Sequence, residues 1–236
     1  MSWHRKLVAD LTARAATTDQ ISGLWLCGSA ARNPDTLDRF SDVDAIMTLN
    51  GRLDLRPWLG SFGVIWASDT STAATHWLAR IVFADGRRLD LSVGDDPRRS
   101  TAVGLHRGAR PATTASAALV AWDEDKDPDA NAIRFLSALA VVKLGRGDRL
   151  IGSHLAVEMA RMNLVQAMRL RDRDEGTRHH HSGTRRDGVA DEVAKSLSHP
   201  EPLTWIRRNA ALFDRLHGEL NPDYQRDWAG LDALTG

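Results

Sequence analysis

Two short patterns bring together residue types that could do chemistry. Gly28-Ser29 closes an apolar run, ISGLWLC, and after twelve intervening residues Asp42-Val43-Asp44 opens a second run, VDAIMTL. A glycine at the end of a buried strand lets the chain turn and brings backbone N–H groups close to an anion. The serine hydroxyl and the start of a following helix add donors, so the loop suits a triphosphate. Asp42 and Asp44, two apart on a strand, point the same way and offer hard oxygen ligands of the kind magnesium requires. A third carboxylate, Asp90, sits in a predicted hairpin arm whose Leu89, Leu91 and Val93 share the opposite face. If that arm pairs beside the Asp42/Asp44 strand, three aspartates cluster and repel one another strongly unless a metal is present.

The elements that must position these residues follow from hydrophobic periodicity. Trp3, Leu7, Leu11 and Ala15 recur at helical spacing and predict an opening helix over 3–16. Strands are predicted at 21–27 and 43–49, with a short alanine-rich helical turn after Ser29 that Asn33-Pro34 breaks. A helix over 56–62 and a strand over 64–67 come next. A hairpin then folds about Asp85-Gly86, read as a two-residue turn with positive φ. The apolar run 115–122 predicts a further strand, and the charged DEDKDPD segment marks a domain boundary.

Beyond it the texture is helical. Ile133, Leu136 and Ala140 define one helix, ended by the glycines of LGRGD. Residues 149–173 carry two apolar lines, Ile151/Leu155/Met159/Met162/Val165/Met168 and Leu150/Val157/Leu164, which predict a long helix packed on two sides. A polar loop and three shorter helices complete the chain. The expected fold class is therefore α/β with a mixed sheet over 1–127, followed by an α-helical domain over 128–236.

Composition narrows the function. The 236 residues hold 31 basic and 31 acidic side chains, leaving no global field for gripping nucleic acid or a membrane surface. One cysteine, Cys27, excludes an internal disulfide and a cysteine-based zinc cluster. No apolar run approaches a bilayer span, and a cytoplasmic protein is expected. His179, His180 and His181 are adjacent in a predicted loop, where side chains diverge instead of converging on one ion. Arg146-Gly147-Asp148 reads as a helix end.

The stretch GSAARNPDTLDRFSDVDAIM resembles the Gly-Ser, Asp-x-Asp signature of the nucleotidyltransferase superfamily, whose members share a polymerase-beta-like catalytic domain. The continuation (Phe62, Gly63 and Ile65, then IVFADGRRLDLSV, then AWDEDKD) is similar to the streptomycin-modifying aminoglycoside 6-adenylyltransferases and their relatives. The likeness covers about residues 20 to 130; beyond it a Lys143, Arg146-Gly147-Asp148 passage matches. It implies a nucleotidyltransferase fold and magnesium-dependent transfer of AMP from ATP to a hydroxyl of a small-molecule antibiotic, an aminoglycoside first. In that reading Asp42 and Asp44 hold the metal, and Asp90 is the catalytic base with a share in the metal. Gly28, Ser29 and Arg32 contact the triphosphate, and the resemblance implies that Lys143 reaches it from the helical domain.

The acceptor is less determined. Between Asp35 and Asp96 ten acidic residues face six basic ones, whereas between Pro128 and Arg186 eleven basic face six acidic. A polycationic acceptor needs clustered carboxylates, and the candidates in the second region are Asp148 and Glu158. Glu158 also has Arg161 at i,i+3 as an ion-pair partner. A lincosamide, or a protein partner of the toxin–antitoxin or AMP-transferring kind, stands as the alternative; Arg173 and His179 bear on the latter.

Overall fold

The computed structural model describes residues 2–73, 75–108, 116–123, 125–176 and 183–236. They form two compact units, Met1–Lys126 and Asp127–Gly236. The first is α/β and the second is helical, the architecture that the patterning predicts.

In the first unit, helix α1 (Trp3–Ala16) leads into β1 (Ile21–Cys27) and the single-turn α2 (Gly28–Arg32). Strand β2 (Val43–Leu49), the short β3 (Leu53–Asp54) and α3 (Leu55–Gly60) follow, and then β4 (Ile65–Thr72), β5 (His76–Phe83) and β6 (Arg88–Gly94). Strand β7 (Val103–Arg107) and the short β8 (Val120–Ala121) end the unit. Six strands make a sheet in the order β4-β5-β6-β2-β1-β7, and β3 pairs with β8 apart from it. Strands β2 and β6 run parallel; every other pairing in the large sheet is antiparallel. The mixed character thus arises at the pair that carries the aspartates.

Alternation explains the core. Val43, Ala45, Met47 and Leu49 of β2 and Leu89, Leu91 and Val93 of β6 are all fully buried, against Leu7 and Leu11 of α1 and Leu55 and Leu59 of α3. With period 2, this sends Asp44 and Asp90 to the other face.

Three local expectations are corrected. The hairpin is not a two-residue turn. Phe83 and Arg87 close it, with Ala84, Asp85 and Gly86 between them and only Gly86 at positive φ (81°). Asp85 is free to keep an ordinary φ because the single left-handed position falls on the glycine. The run at 115–122 is a 3-10 turn over Ser116–Leu119 followed by the two-residue β8, not a full strand; residue 115 lies outside the described residues. The predicted strand at 64–67 extends to Thr72 because it pairs along the whole of β5.

The second unit comprises α4 (Pro128–Gly145), α5 (Arg149–Glu175), α6 (Gly188–Leu197), α7 (Pro202–Leu220) and α8 (Ala229–Thr235). Pro128 at the first turn and the Asp127 carboxylate, which accepts from Ala130 N–H at 3.0 Å, start α4. Asp148 caps α5 in the same way, and Gly176 in the left-handed conformation ends it.

Of the two predicted apolar lines only Met159 lies on the fully buried face of α5. That face consists of Gly152, Ala156, Met159, Ala160, Asn163, Gln166, Ala167 and Leu170, while Leu150 is 82% exposed and Ile151, Val157 and Met168 are also exposed. Small residues win this face because they let neighbouring helices approach: a Cβ on Gly152 would lie 2.6 Å from Leu144 Cγ of α4. Asn163 is tolerated inside because its Nδ2 donates to both the carbonyl and the Oδ1 of Asn209 on α7, at 3.0 Å each. Hydrophobicity counting ranks such positions last.

Candidate active site

Asp44 stands directly opposite Asp90 across the parallel β2–β6 pair, and Asp42, immediately before β2, is near enough for its charge to act on both. The row continues sideways. Arg80 of β5 is opposite Asp90, Asp69 of β4 is opposite Arg80, and Arg80 Nε donates to Asp69 Oδ2 at 3.0 Å. On the other flank Cys27 is opposite Asp44. The structure therefore brings the three sequence-predicted aspartates together, Asp44 and Asp90 at paired sheet positions and Asp42 at the entry to β2.

Gly28 follows Cys27 at φ 66°, a conformation that other residues rarely adopt. It is required a second time by space: a Cβ there would lie 1.9 Å from Asp44 Oδ2. The Asp44 carboxylate thus lies against the turn that carries Ser29, which is half-buried, and the exposed Arg32. The charge of Arg32 acts favourably on the Asp44 carboxylate.

The approach to Asp42 is pinned by residues that sequence reasoning missed. His4 Nε2–H of α1 donates to the Ser41 carbonyl at 3.2 Å, and Ser41 Oγ–H donates to Asp38 Oδ1 at 2.8 Å. The Arg88 guanidinium of β6 donates to the Phe40 carbonyl. Burial keeps the His4 imidazole below its usual pKa against the raising effect of the Ser41 hydrogen bond, so it stays neutral at pH 7. His4 takes the inward place on α1 that the spacing assigned to Trp3, and the two rings stack at 3.6 Å.

The electrostatics are those of a site short of positive charge. Burial, then repulsion from Asp42 and Asp44, pushes the Asp90 carboxyl up to about 7, against opposing effects from Arg80 and Arg88. Among the described residues no hydrogen bond reaches the Asp90 carboxylate. Asp44 is likewise raised, by burial and then by Asp42, with Arg98 opposing. Three hard carboxylates brought near one another, two of them holding protons more tightly than usual, fit a divalent cation such as magnesium by donor chemistry. Among the described residues no three His, Cys, Asp or Glu side chains are already gathered round one point. Magnesium ordinarily keeps several water or phosphate oxygens besides one or two carboxylates.

The remaining predicted residues lie in the helical unit. Lys143 on α4 has its Nζ 3.9 Å from Asp148 Oδ2, and Asp148 caps α5 through Ile151 N–H at 3.2 Å. Glu158 accepts from Arg161 Nε at 2.7 Å. Both candidate acceptor carboxylates are thus already partnered. Arg173 Nη1 donates to the Glu219 carbonyl at 2.6 Å, and His179, His180 and His181 lie outside the described residues. An open cavity of about 870 Å³ in the first unit, lined by Trp3, Lys6, Arg14, Phe62 and Arg87 among others, includes none of the three aspartates. No described helix is long and apolar enough to cross a membrane.

No protein-family model and no curated protein matches the chain. Among solved structures it is similar to an aminoglycoside 6-adenyltransferase from Bacillus subtilis, at 14% identity over 100% of this chain and 99% of that one, with a TM-score of 0.30. A second is described as a nucleotidyltransferase from H. pylori, at 12% identity over 96% of this chain and 100% of that one, with a TM-score of 0.26.

Proposed function

We propose that the protein is a magnesium-dependent nucleotidyltransferase that moves AMP from ATP to a hydroxyl of a small molecule, an aminoglycoside being the first choice. The observation that carries this reading is the register of Asp44 against Asp90 with Asp42 at the entry to β2, beside a turn where only glycine leaves room for the Asp44 carboxylate.

Asp42 and Asp44 would hold the metal, with Asp90 sharing it. When bound, magnesium neutralises the phosphoryl oxygens and orients the triphosphate for in-line displacement. The acceptor oxygen bonds to the α-phosphorus, the bond from that phosphorus to the bridging oxygen breaks, and pyrophosphate leaves. Asp90 takes the proton of the acceptor hydroxyl. Without metal, burial and the charges of Asp42 and Asp44 raise this carboxyl to about 7; a bound divalent ion would offset that repulsion and favour the ionised form that accepts the proton. Gly28 and Ser29 seat the triphosphate with backbone N–H groups and a hydroxyl, Arg32 adds charge at the rim, and Lys143 supplies a further cation. Asp148 and Glu158 serve the acceptor.

A less cationic hydroxylated acceptor such as a lincosamide is the second reading. It is favoured by the pairing of Glu158 with Arg161 and the proximity of Lys143 to Asp148, which leave less negative charge for amines. Incubation with ATP, magnesium and a panel of aminoglycosides and lincosamides tests both. Pyrophosphate release with an acceptor gaining the mass of AMP is the expected result. Modification of a protein in place of every small molecule would move the acceptor to the protein class, and no AMP transfer at all would overturn the proposal.

A further inference from the structure

The segment leaving β6 carries a guanidinium that the spacing of the aspartates does not announce. Asp96 has a side chain only 3% exposed and accepts the Arg98 backbone N–H at 2.8 Å, Arg98 Nε at 3.1 Å and Nη2 at 2.7 Å. Burial works against this carboxylate, but the Arg98 contacts outweigh it and hold Asp96 at about 2. It is therefore a permanent anchor. One edge of the guanidinium is spent on it. The remaining nitrogen, Nη1, lies 3.4 Å from Asp44 Oδ1. The 3-10 turn Pro97–Thr101 that carries Arg98 packs against β1, the strand that delivers Gly28 and Ser29. The Arg98 side chain is itself half-exposed, so its outer edge is open to a ligand.

A buried carboxylate that fixes one edge of an arginine leaves the other edge pre-oriented, at little entropic cost on binding. Here that edge rests on a carboxylate suited to a metal. A cation and a divalent ion cannot both take the same oxygen of Asp44 without strong repulsion. Guanidinium groups bind phosphate oxygens well, through charge-assisted hydrogen bonds. We propose that Arg98, oriented by Asp96, is the internal cation of this site. It neutralises Asp44 in the metal-free protein, competes with the divalent ion for that carboxylate, and on being displaced donates its outer edge to the phosphates of the nucleotide. Asp96 is the positioning residue behind it. The proposal rests on the nucleotidyl-transfer reading and adds a phosphate ligand outside the Gly-Ser, Asp-x-Asp pattern.

The test is calorimetric titration of the metal-free protein with Mn²⁺ alone, and separately with ATP at saturating Mg²⁺, for wild type, Arg98→Lys, Arg98→Gln and Asp96→Asn. For Arg98→Gln the two affinities should move in opposite directions. Mn²⁺ alone binds about threefold to tenfold tighter because its competitor is gone, and ATP binds about tenfold weaker because a charge-assisted hydrogen bond is lost. Arg98→Lys keeps a charge without the fork and falls between. Asp96→Asn keeps the arginine but loosens it, and weakens ATP binding. Where Arg98→Gln leaves the buried Asp96 unpaired and the chain fails to fold, the double variant Asp96→Asn/Arg98→Gln removes both charges and carries the same test. A merely structural arginine would lower stability and shift both affinities the same way or not at all, and either pattern overturns the proposal. Wild-type protein that binds neither Mn²⁺ nor ATP overturns the nucleotidyl-transfer reading together with this one. Wild type that binds both, with unchanged variants, overturns this one alone.

Discussion

Replacing Asp90 by asparagine should stabilise the metal-free protein at neutral and alkaline pH while removing its proposed base. The carboxyl titrates at about 7 in the fold against 3.8 as a free side chain, because burial and two neighbouring carboxylates penalise its charge. Between these values the native state holds a proton that the unfolded chain has released. Stability from this group is fully present below the unfolded pKa, falls as pH rises from about 4 to 7, and is flat above. The full difference corresponds to about 4 kcal/mol at pH 8, at 1.36 kcal/mol for each pKa unit. Asparagine keeps the shape and never ionises. In EDTA, Asp90→Asn should unfold about 8–16 °C higher than wild type at pH 8, at about 2–4 °C for each kcal/mol in a chain of this size. The gap should shrink steadily to near zero by pH 4. Thermal or urea unfolding of the two proteins across pH 4–8 measures this directly, and added Mg²⁺ should narrow the gap by stabilising wild type more than the variant, which keeps Asp42 and Asp44 but lacks the third carboxylate. A difference independent of pH, or a variant less stable at pH 8, would refute the claim that Asp90 is a charge penalised by its place in the sheet.

Further outcomes follow from single contacts. Gly28→Ala places a Cβ 1.9 Å from Asp44 Oδ2 at a φ of 66°; it should cost at least about 1–2 kcal/mol in urea unfolding and abolish metal binding. Gly152→Ala improves helix propensity yet should destabilise, by about 1–3 kcal/mol, because the new methyl group meets Leu144 Cγ at 2.6 Å. Asp127 is held below its usual pKa: burial opposes this, but Ala130 N–H and His217, whose Nε2 is 2.8 Å away, outweigh it. Its stabilisation is present above the unfolded pKa of about 4 and is lost as pH falls through the lower folded value. Asp127→Ala should therefore weaken the fold at pH 7 and lose that effect in acid.

The parts of this protein that were legible in the sequence are those fixed by local alternation. Val43, Ala45, Met47 and Leu49 on one side force Asp44 to the other, and Leu89, Leu91 and Val93 do the same for Asp90. Gly28 and Gly86 stand where positive φ is needed. The parallel pairing of β2 with β6 is a long-range choice that alternation allows but does not dictate. The pins on Asp42 were hidden for the same reason, since His4 and Arg88 act on Ser41 and Phe40 from distant elements. The buried face of α5 was misread because Gly152, Ala156 and Ala160 gain from close helix approach, and Asn163 from a partner on another helix, neither of which hydrophobicity records. Arg98 lies in a polar stretch without periodicity, where only the fold shows which carboxylates it joins.

The central claim is tested most directly by following transfer of label from α-labelled ATP to an acceptor from the aminoglycoside and lincosamide panel, with wild type and Asp90→Asn compared in Mg²⁺ and in EDTA. The account predicts transfer by wild type in Mg²⁺ only, with release of pyrophosphate, and a rate about 10²–10⁴-fold lower for a folded Asp90→Asn, the contribution of a positioned base. Near wild-type turnover by that variant, or transfer that persists in EDTA, would contradict it.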